Sequence, residues 1–108
     1  MTRHKPVIPR ALAENDIDAA IAHYLDAGGA DLALRFIDDL EAAFQHVSTH
    51  PATGSPRYAT ELDLPGLRIW PLRDFPQLIF YVEQADHLDV WRVLHGRRDI
   101  PAWLQDGG

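Results

Sequence analysis

Basic and imidazole side chains gather near the end of the chain, in the segment His95-Gly-Arg-Arg-Asp99 and in Arg92 just before it. Arginines at such a place could stabilise a phosphate transition state or hold an anionic partner, and a histidine could act as an acid or base. Arg97 and Arg98 are adjacent and point in different directions, so at least one of them should face solvent. A role in binding and simple solvation explain this pair equally well.

Metal binding and nucleophilic catalysis find little support in the sequence. His46 and His50 lie four residues apart at a predicted helix end and could face one metal ion. The sequence offers no evident third ligand, and histidines near a helix C-terminus are favourable for the helix dipole alone. The two serines, Ser48 and Ser55, are not in a nucleophile elbow, and there is no glycine-rich phosphate loop. We therefore assign no catalytic residue, no metal site and no cofactor.

The basic segment follows a predicted β-hairpin on which the rest of the chain is organised. The runs 77–83 and 88–94 are rich in β-branched and aromatic residues, and four polar or small residues separate them. The first run is apolar on both faces, which predicts a strand in the middle of a sheet. We expect Phe80, at the centre of that run, to be fully buried.

Two amphipathic helices are predicted upstream, and together they should form an antiparallel hairpin that covers the sheet. The first begins near Glu14 or Asn15, with Asn15 as its cap, and ends at Gly28-Gly29. The second is capped by Asp31 and stops before Pro51. Their buried stripes are predicted from helical spacing: Ile17, Ala20, Ile21, Tyr24 and Leu25 in the first; Ala33, Phe36, Ile37, Leu40, Ala43, Phe44 and Val47 in the second. Phe44 is expected to be fully buried.

The remaining segments complete a single α+β domain over 1–108. The proline-flanked run 5–9 predicts an edge strand or an extended arm, and 51–66 reads as an irregular loop. A strand follows at 67–72, and a short C-terminal turn is predicted at 99–104 before a frayed tail at 105–108. The predicted order is therefore β-α-α-β-β-β, with the helical hairpin packed on one face of a mostly antiparallel sheet.

Composition narrows the classes of function. The chain has 108 residues, no cysteine and a net charge of −6, which fits one modest cytoplasmic domain. No signal peptide or membrane-spanning run is present, so we expect no membrane partner. Residues 11–50 hold eight acidic residues and one basic residue, whereas 51–108 hold six arginines. An acidic half disfavours nucleic-acid binding over the whole surface, and we expect no sequence-specific DNA binding.

Three segments carry a resemblance to a known family. Leu-Arg-Ile-Trp-Pro at 67–71, Phe-Pro-Gln-Leu-Ile-Phe-Tyr at 75–81 and Arg-Val-Leu-His-Gly-Arg-Arg-Asp at 92–99 resemble the C-terminal half of the RelE/ParE toxin superfamily, on the ParE side. The upstream helical pair is similar in length and order, so the likeness covers nearly the whole chain.

The resemblance implies the toxin of a type II toxin–antitoxin system for plasmid or chromosome maintenance. Such a toxin would poison bacterial DNA gyrase without catalysis and be neutralised by a ParD-like antitoxin in a hetero-oligomer. A ribosome-dependent mRNA endoribonuclease of the RelE type and a non-toxic binding module are the alternatives. The nuclease branch tends to carry lysines and a C-terminal tyrosine or histidine, whereas the only lysine here is Lys5 and the last tyrosine, Tyr81, is inside a strand.

Two groups of site residues are assigned on this basis. Those expected to contact the target are Arg92, His95, Arg97, Arg98 and Trp103. Those expected to contact the antitoxin are Arg68, Trp70, Arg73, Tyr81 and Trp91. For Trp70 and Trp91, packing against the sheet is the favoured alternative to binding. For Arg92, the alternative is an ion pair with Asp89 or Glu83.

Overall fold

The computed structural model describes residues 5–97 and 100–107, with side chains as far as Leu104. Its elements confirm the predicted α+β class and the order β-α-α-β-β-β, to which short helices are added. They are β1 (Val7–Pro9), α1 (Ala11–Thr49), a 3-10 turn (Pro51–Thr53), α2 (Arg57–Glu61), β2 (Leu67–Pro71), β3 (Gln77–Glu83), β4 (Leu88–His95) and α3 (Ile100–Gly107). No helix in the described part of the chain is long and apolar enough to span a membrane.

The four strands form one sheet in the order β1-β4-β3-β2. β1 is parallel to β4 at one edge, and the other neighbours are antiparallel. Phe80 faces Arg92 and the next residue, Tyr81, faces Val90, so Trp91 is an extra residue on β4. This β-bulge shifts the alternation of side chains along the strand.

α1 is two helical halves that meet at Gly29, as predicted. Gly29 has φ 76° and ψ −169°, a backbone conformation that is open essentially to glycine alone. The predicted start was wrong: α1 begins at Ala11, Arg10 is its N-cap residue, and Asn15 lies exposed inside the helix. The Arg10 amide donates to the Val90 carbonyl at 2.8 Å. The pairing of β1 with β4 therefore continues directly into the first helical turn.

α1 covers one face of the sheet, and a smaller core lies on the other. The main core joins Phe36, Leu40, Ala43 and Val47 of α1 to Ile79, Tyr81, Leu88, Val90 and Val93 of the sheet. The second core joins Leu67, Ile69, Phe80 and Leu94 of the sheet to Ile100 and Leu104 of α3, with Tyr58, Ala59 and Leu62 packed against them. Full burial of Phe80 is confirmed. Full burial of Phe44 was wrong, because Phe44 lies half-buried in a surface groove beside Lys5 and Pro6.

The loop at 51–66 is more ordered than predicted. Besides the short helices Pro51–Thr53 and Arg57–Glu61, Ser55 and Ile69 exchange two backbone hydrogen bonds of 2.9 Å. This contact covers the outer edge of β2. The C-terminal helix is also longer than the turn predicted for 99–104, because it runs from Ile100 to Gly107. Apolar contacts of Ile100 and Leu104 hold that helix on the second core.

Candidate functional site

A groove lies between the first half of α1 and the end of β4, and Trp103 of α3 also lines it. Its volume is about 590 Å³. The structure brings three of the predicted target-binding residues to this groove: His95, Arg97 and Trp103. Arg98 lies outside the described residues. The fifth, Arg92, is buried beside the groove and is bonded to Asp16, which lines it.

Arg92, Asp16 and Trp103 form what we term the inner cluster. The guanidinium of Arg92 binds Asp16 through two 2.8 Å hydrogen bonds, from Nε to Oδ2 and from Nη2 to Oδ1. Its Nη1 donates to the Trp103 carbonyl at 3.1 Å, and its Cζ lies 5.1 Å from the Trp103 ring centroid. The Val93 amide also donates to Asp16 Oδ2, at 3.1 Å. Both carboxylate oxygens of Asp16 are therefore engaged.

A second cluster, the outer cluster, repeats these residue types nearer the start of β4. Arg10 binds Asp89 through hydrogen bonds of 3.0 and 2.8 Å, and its Cζ lies 4.6 Å from the Trp91 ring centroid. The Trp91 indole donates to Asp89 Oδ2 at 3.1 Å.

The predicted pairing of Arg92 with Asp89 or Glu83 was therefore wrong. The parallel strand β1 brings Arg10 to Asp89 and Lys5 to Glu83, so both carboxylates have other partners. Arg92 pairs instead with Asp16, in the first half of α1.

His95 is held in one tautomer by the turn that follows it. The backbone N–H of Arg97 donates to His95 Nδ1 at 3.1 Å. In the neutral ring the proton must then lie on Nε2, so His95 acts as a hydrogen-bond donor. The Arg97 side chain is exposed beside it. This corner of the groove presents donors and positive charge, which suits an acidic or carbonyl-rich partner.

Sequence reasoning missed His23, which lines the same groove from α1. Its ring packs edge-on against Tyr24, with the centroids 5.1 Å apart. The Tyr24 hydroxyl and the side-chain amide of the buried Gln77 contact each other at 3.0–3.2 Å. The spacing of Asp16 and His23, two helical turns apart, was the available signal, because it places both on one face.

Two of the predicted antitoxin-binding residues hold the 51–54 loop in place. Tyr81 is fully buried, and its hydroxyl donates to the Pro51 carbonyl at 2.7 Å and accepts from the Gly54 amide at 3.1 Å. Burial raises the pKa of that hydroxyl above its ordinary value of 10.0. Arg68 Nη1 donates to the carbonyls of Ala52 and Gly54, at 3.2 and 2.8 Å. Both residues therefore have a structural role.

The other three predicted antitoxin-binding residues, Trp70, Arg73 and Trp91, lie apart from one another. Trp70 is half-buried and stacks on His46, with ring centroids 4.2 Å apart and an interplanar angle of 16°. Arg73 is exposed beside the second half of α1, where Asp39 accepts the backbone amides of the turn between β2 and β3. Trp91 belongs to the outer cluster. The structure thus does not bring the five predicted antitoxin residues together on one surface.

The His46 and His50 pair is part of a stack of rings. Their centroids are 5.2 Å apart, and His46 Nε2 lies 3.1 Å from the hydroxyl oxygen of Thr53. Among the described residues, no three histidine or carboxylate side chains converge in a way that could hold a metal ion.

Comparison with known proteins finds a similar solved structure and a matching family. One solved structure, described as the chromosomal ParDE TA system from P. aeruginosa, matches with a TM-score of 0.70 at 19% identity, over 85% of this chain and 96% of that one. None of the curated proteins matches the chain in sequence. A family model described as the ParE toxin of the type II toxin–antitoxin system, parDE, matches residues 7–100. The chain therefore belongs to the ParE toxin family of type II toxin–antitoxin systems.

Proposed function

We propose that this ParE-family toxin arrests growth by binding DNA gyrase without catalysing a reaction, and that it acts in the cytoplasm. The observation that carries the proposal is the make-up of the groove at the end of β4. His95 and Arg97 present hydrogen-bond donors there, and Trp103 adds an aromatic wall. Arginine and tryptophan side chains dominate the binding energy of many protein interfaces.

The groove is better suited to binding than to proton transfer. Asp16 accepts three hydrogen bonds, two from Arg92 and one from Val93, so both of its carboxylate oxygens are already engaged. His95 Nδ1 already accepts the Arg97 amide. Neither group can readily remove a proton from a substrate hydroxyl. Arg92 supports this surface, because it is buried and binds both Asp16 and the Trp103 carbonyl, and both of these residues line the groove.

The proposed partner that neutralises the toxin is a ParD-like antitoxin in a hetero-oligomer. Leu25 and Leu34 are exposed on the two halves of α1, near its break at Gly29. Arg73 is exposed beside the second half of the same helix. We expect a segment that orders on binding and combines apolar anchors at helical spacing with acidic residues. Of the five residues assigned to this contact, Arg73 is exposed, Tyr81 is buried, and the other three are half-buried: Arg68, Trp70 and Trp91.

Salt titration tests the electrostatic part of that contact. Affinity for the antitoxin should weaken with added salt but persist, because salt screens only the charged share of the interface. Binding that is independent of salt would remove Arg73 from the proposal.

The gyrase proposal is tested with the double variant Arg97→Ala, Arg98→Ala. In a binding poison these changes act only through affinity, so growth arrest should weaken in a dose-dependent way and recover in part at higher expression. Purified wild type should inhibit supercoiling by gyrase, and the variant should need a higher concentration. Arg57→Ala is the matched control, because Arg57 is an exposed arginine that pairs with Glu61 on α2. Equal toxicity of the double variant and this control would contradict the assigned surface.

A ribonuclease of the RelE type is the second candidate, favoured by one observation. His23 and His95 line the same groove, and two imidazoles could serve as the base and the acid of RNA cleavage. Transcript cleavage by the wild type, abolished by His95→Ala and not restored by higher expression, would replace the gyrase proposal with this one. We expect His95→Ala to affect toxicity less than the double arginine variant.

A further inference from the structure

We infer that Asp16 is a positioning residue for the target surface, acting through Arg92 on helix α3. This inference rests on the proposed function, because Trp103 of α3 is part of the proposed gyrase contact. Asp16 itself would not need to touch gyrase. Its role would be to fix the guanidinium of Arg92, which in turn fixes the place of Trp103.

The geometry of the inner cluster supports this chain of contacts. Asp16 binds two of the three guanidinium nitrogens, Nε and Nη2, both at 2.8 Å. Such a two-point contact sets the plane of the guanidinium group as well as its position. The third nitrogen, Nη1, then faces the Trp103 carbonyl at 3.1 Å. The same plane places Cζ 5.1 Å from the Trp103 ring.

Burial makes this contact stiff. Arg92 and Asp16 are both largely removed from solvent, so water and salt screen their attraction only weakly. The Val93 amide anchors Asp16 to the backbone of β4. The inner cluster thus connects α1, β4 and α3.

α3 needs such a connection because it is short. It has eight residues, and isolated helices of that length are unstable in water. Ile100 and Leu104 bury one stripe of the helix on the second core. These apolar contacts set which face of the helix meets the core, but they are not directional and leave small shifts of the helix open. The hydrogen bond and ring contact from Arg92 restrict such shifts at Trp103.

The test compares Asp16→Asn with Asp89→Asn in the full-length protein. Both changes remove the charge from a carboxylate that binds an arginine at two points, but Asp89 belongs to the outer cluster, and in the described part of the chain its side-chain hydrogen bonds join it to Arg10 and Trp91. We expect Asp16→Asn to speed amide hydrogen exchange in 100–107 by roughly tenfold or more, because the change breaks the largely buried ion pair with Arg92. Affinity for purified gyrase should fall by a similar factor. Asp89→Asn should change both quantities by about twofold or less.

A second variant separates positioning from stability. In Asp16→Asn, Arg92→Met the two charges are removed together, and the asparagine oxygen can still accept the Val93 amide. Replacing a buried ion pair in this way is often neutral for stability. We therefore expect thermal unfolding to return toward that of the wild type, while exchange in α3 stays fast and gyrase affinity stays low. Recovery of affinity together with stability would overturn the inference.

The failure of either idea can be recognised separately. If exchange in α3 is the same in Asp16→Asn and Asp89→Asn, the positioning role is refuted whatever gyrase does. If the wild type does not bind gyrase, the proposed function fails, and the exchange data still decide whether Asp16 positions α3. Fluorescence of Trp103 gives a second readout when Trp70→Phe and Trp91→Phe remove the other two tryptophans. In this background, Asp16→Asn should shift the emission to longer wavelength, because the Trp103 ring becomes more exposed to water, and Asp89→Asn should not.

Discussion

The inner and outer clusters contain the same three residue types and differ in what surrounds them. Each has an arginine bound at two points to an aspartate, with its guanidinium over a tryptophan ring. In the inner cluster the arginine and aspartate side chains are 7% and 12% exposed, whereas in the outer cluster the values are 39% and 15%. The distances between guanidinium nitrogens and carboxylate oxygens are nearly equal in the two clusters. Exposure to solvent should therefore decide how much each ion pair contributes to stability.

The difference also lies in the number of elements that each cluster joins. The outer cluster joins the end of β1 to β4, which already pair through backbone hydrogen bonds. The inner cluster joins α1, β4 and α3, and it reaches α3 through the Trp103 carbonyl. An identical side-chain interaction can therefore be redundant at one place and required at another.

The largest expected effect is that of Arg92→Ala on stability. Removing this cation leaves the buried Asp16 carboxylate without its partner, which should cost about 3–5 kcal/mol of unfolding free energy. Arg10→Ala in the outer cluster should cost about 1 kcal/mol or less, because solvent replaces the lost contact. Urea unfolding of both variants measures the contrast. Similar losses for the two variants would show that burial does not distinguish the clusters.

We expect Tyr81→Phe to lower the free energy of unfolding by a smaller amount. This variant tests whether burial also makes the contact of an uncharged group important for stability. The change leaves the Pro51 carbonyl and the Gly54 amide without the hydroxyl that bonds them. Unsatisfied buried groups of this kind cost about 1–3 kcal/mol. Tyr58→Phe is the control, since Tyr58 is only half-buried on α2. A loss no greater than that of the control would contradict the role of the Tyr81 hydroxyl.

The same residue predicts an alkaline pH dependence. Burial raises the pKa of Tyr81 in the folded state, so the folded protein holds this proton more tightly than the unfolded chain. Its contribution to stability is full below the unfolded pKa of about 10 and is lost as pH rises through the folded pKa. Denaturant unfolding between neutral pH and the alkaline range should show this decline in the wild type. Tyr81→Phe should show less of it.

The smallest expected effect is the response of the two ion pairs to salt. Raising ionic strength from about 0.01 M to about 1 M shortens the Debye length from about 30 Å to about 3 Å. A double-mutant cycle with Arg10→Met and Asp89→Asn should give a coupling energy of about 1 kcal/mol or less that falls further with salt. The cycle with Arg92→Met and Asp16→Asn should change little. Equal salt responses would mean that water reaches both pairs alike.

Local patterns predicted most of the elements. β3 was predicted with its observed ends, and Gly29 was predicted to break the helices, because strand periodicity and glycine conformation depend on neighbouring residues. Phe80 was predicted correctly for the same reason. Phe44 fits its helical stripe equally well, yet it lines a surface groove with Val7 of the edge strand β1, and a stripe does not reveal where the covered surface ends.

The candidate site was less predictable because its contacts join distant residues. His95, Arg97 and Trp103 follow one another closely in the chain, so they could be grouped as target-binding candidates from sequence, but the groove that they share was not predicted. The partners of Arg92 and Asp89 depend on β1 being parallel to β4, and the residues of the Asp16 pair are 76 positions apart. The bulge at Trp91 has no clear signal in the alternation of β4.

The place of β4 at the centre of the molecule has a consequence for how the toxin is made. Among the described strands, β4 is synthesised after the other three and its partner β1 before them; Arg10 and Asp89 of the outer cluster are 79 positions apart. Contacts over such separations form late, because the intervening chain must be present before they can close. Until β4 has been synthesised, no strand joins β1 to β3, and the sheet is incomplete. We expect growth-arresting activity only from the finished polypeptide, so an interrupted round of translation would leave a harmless fragment.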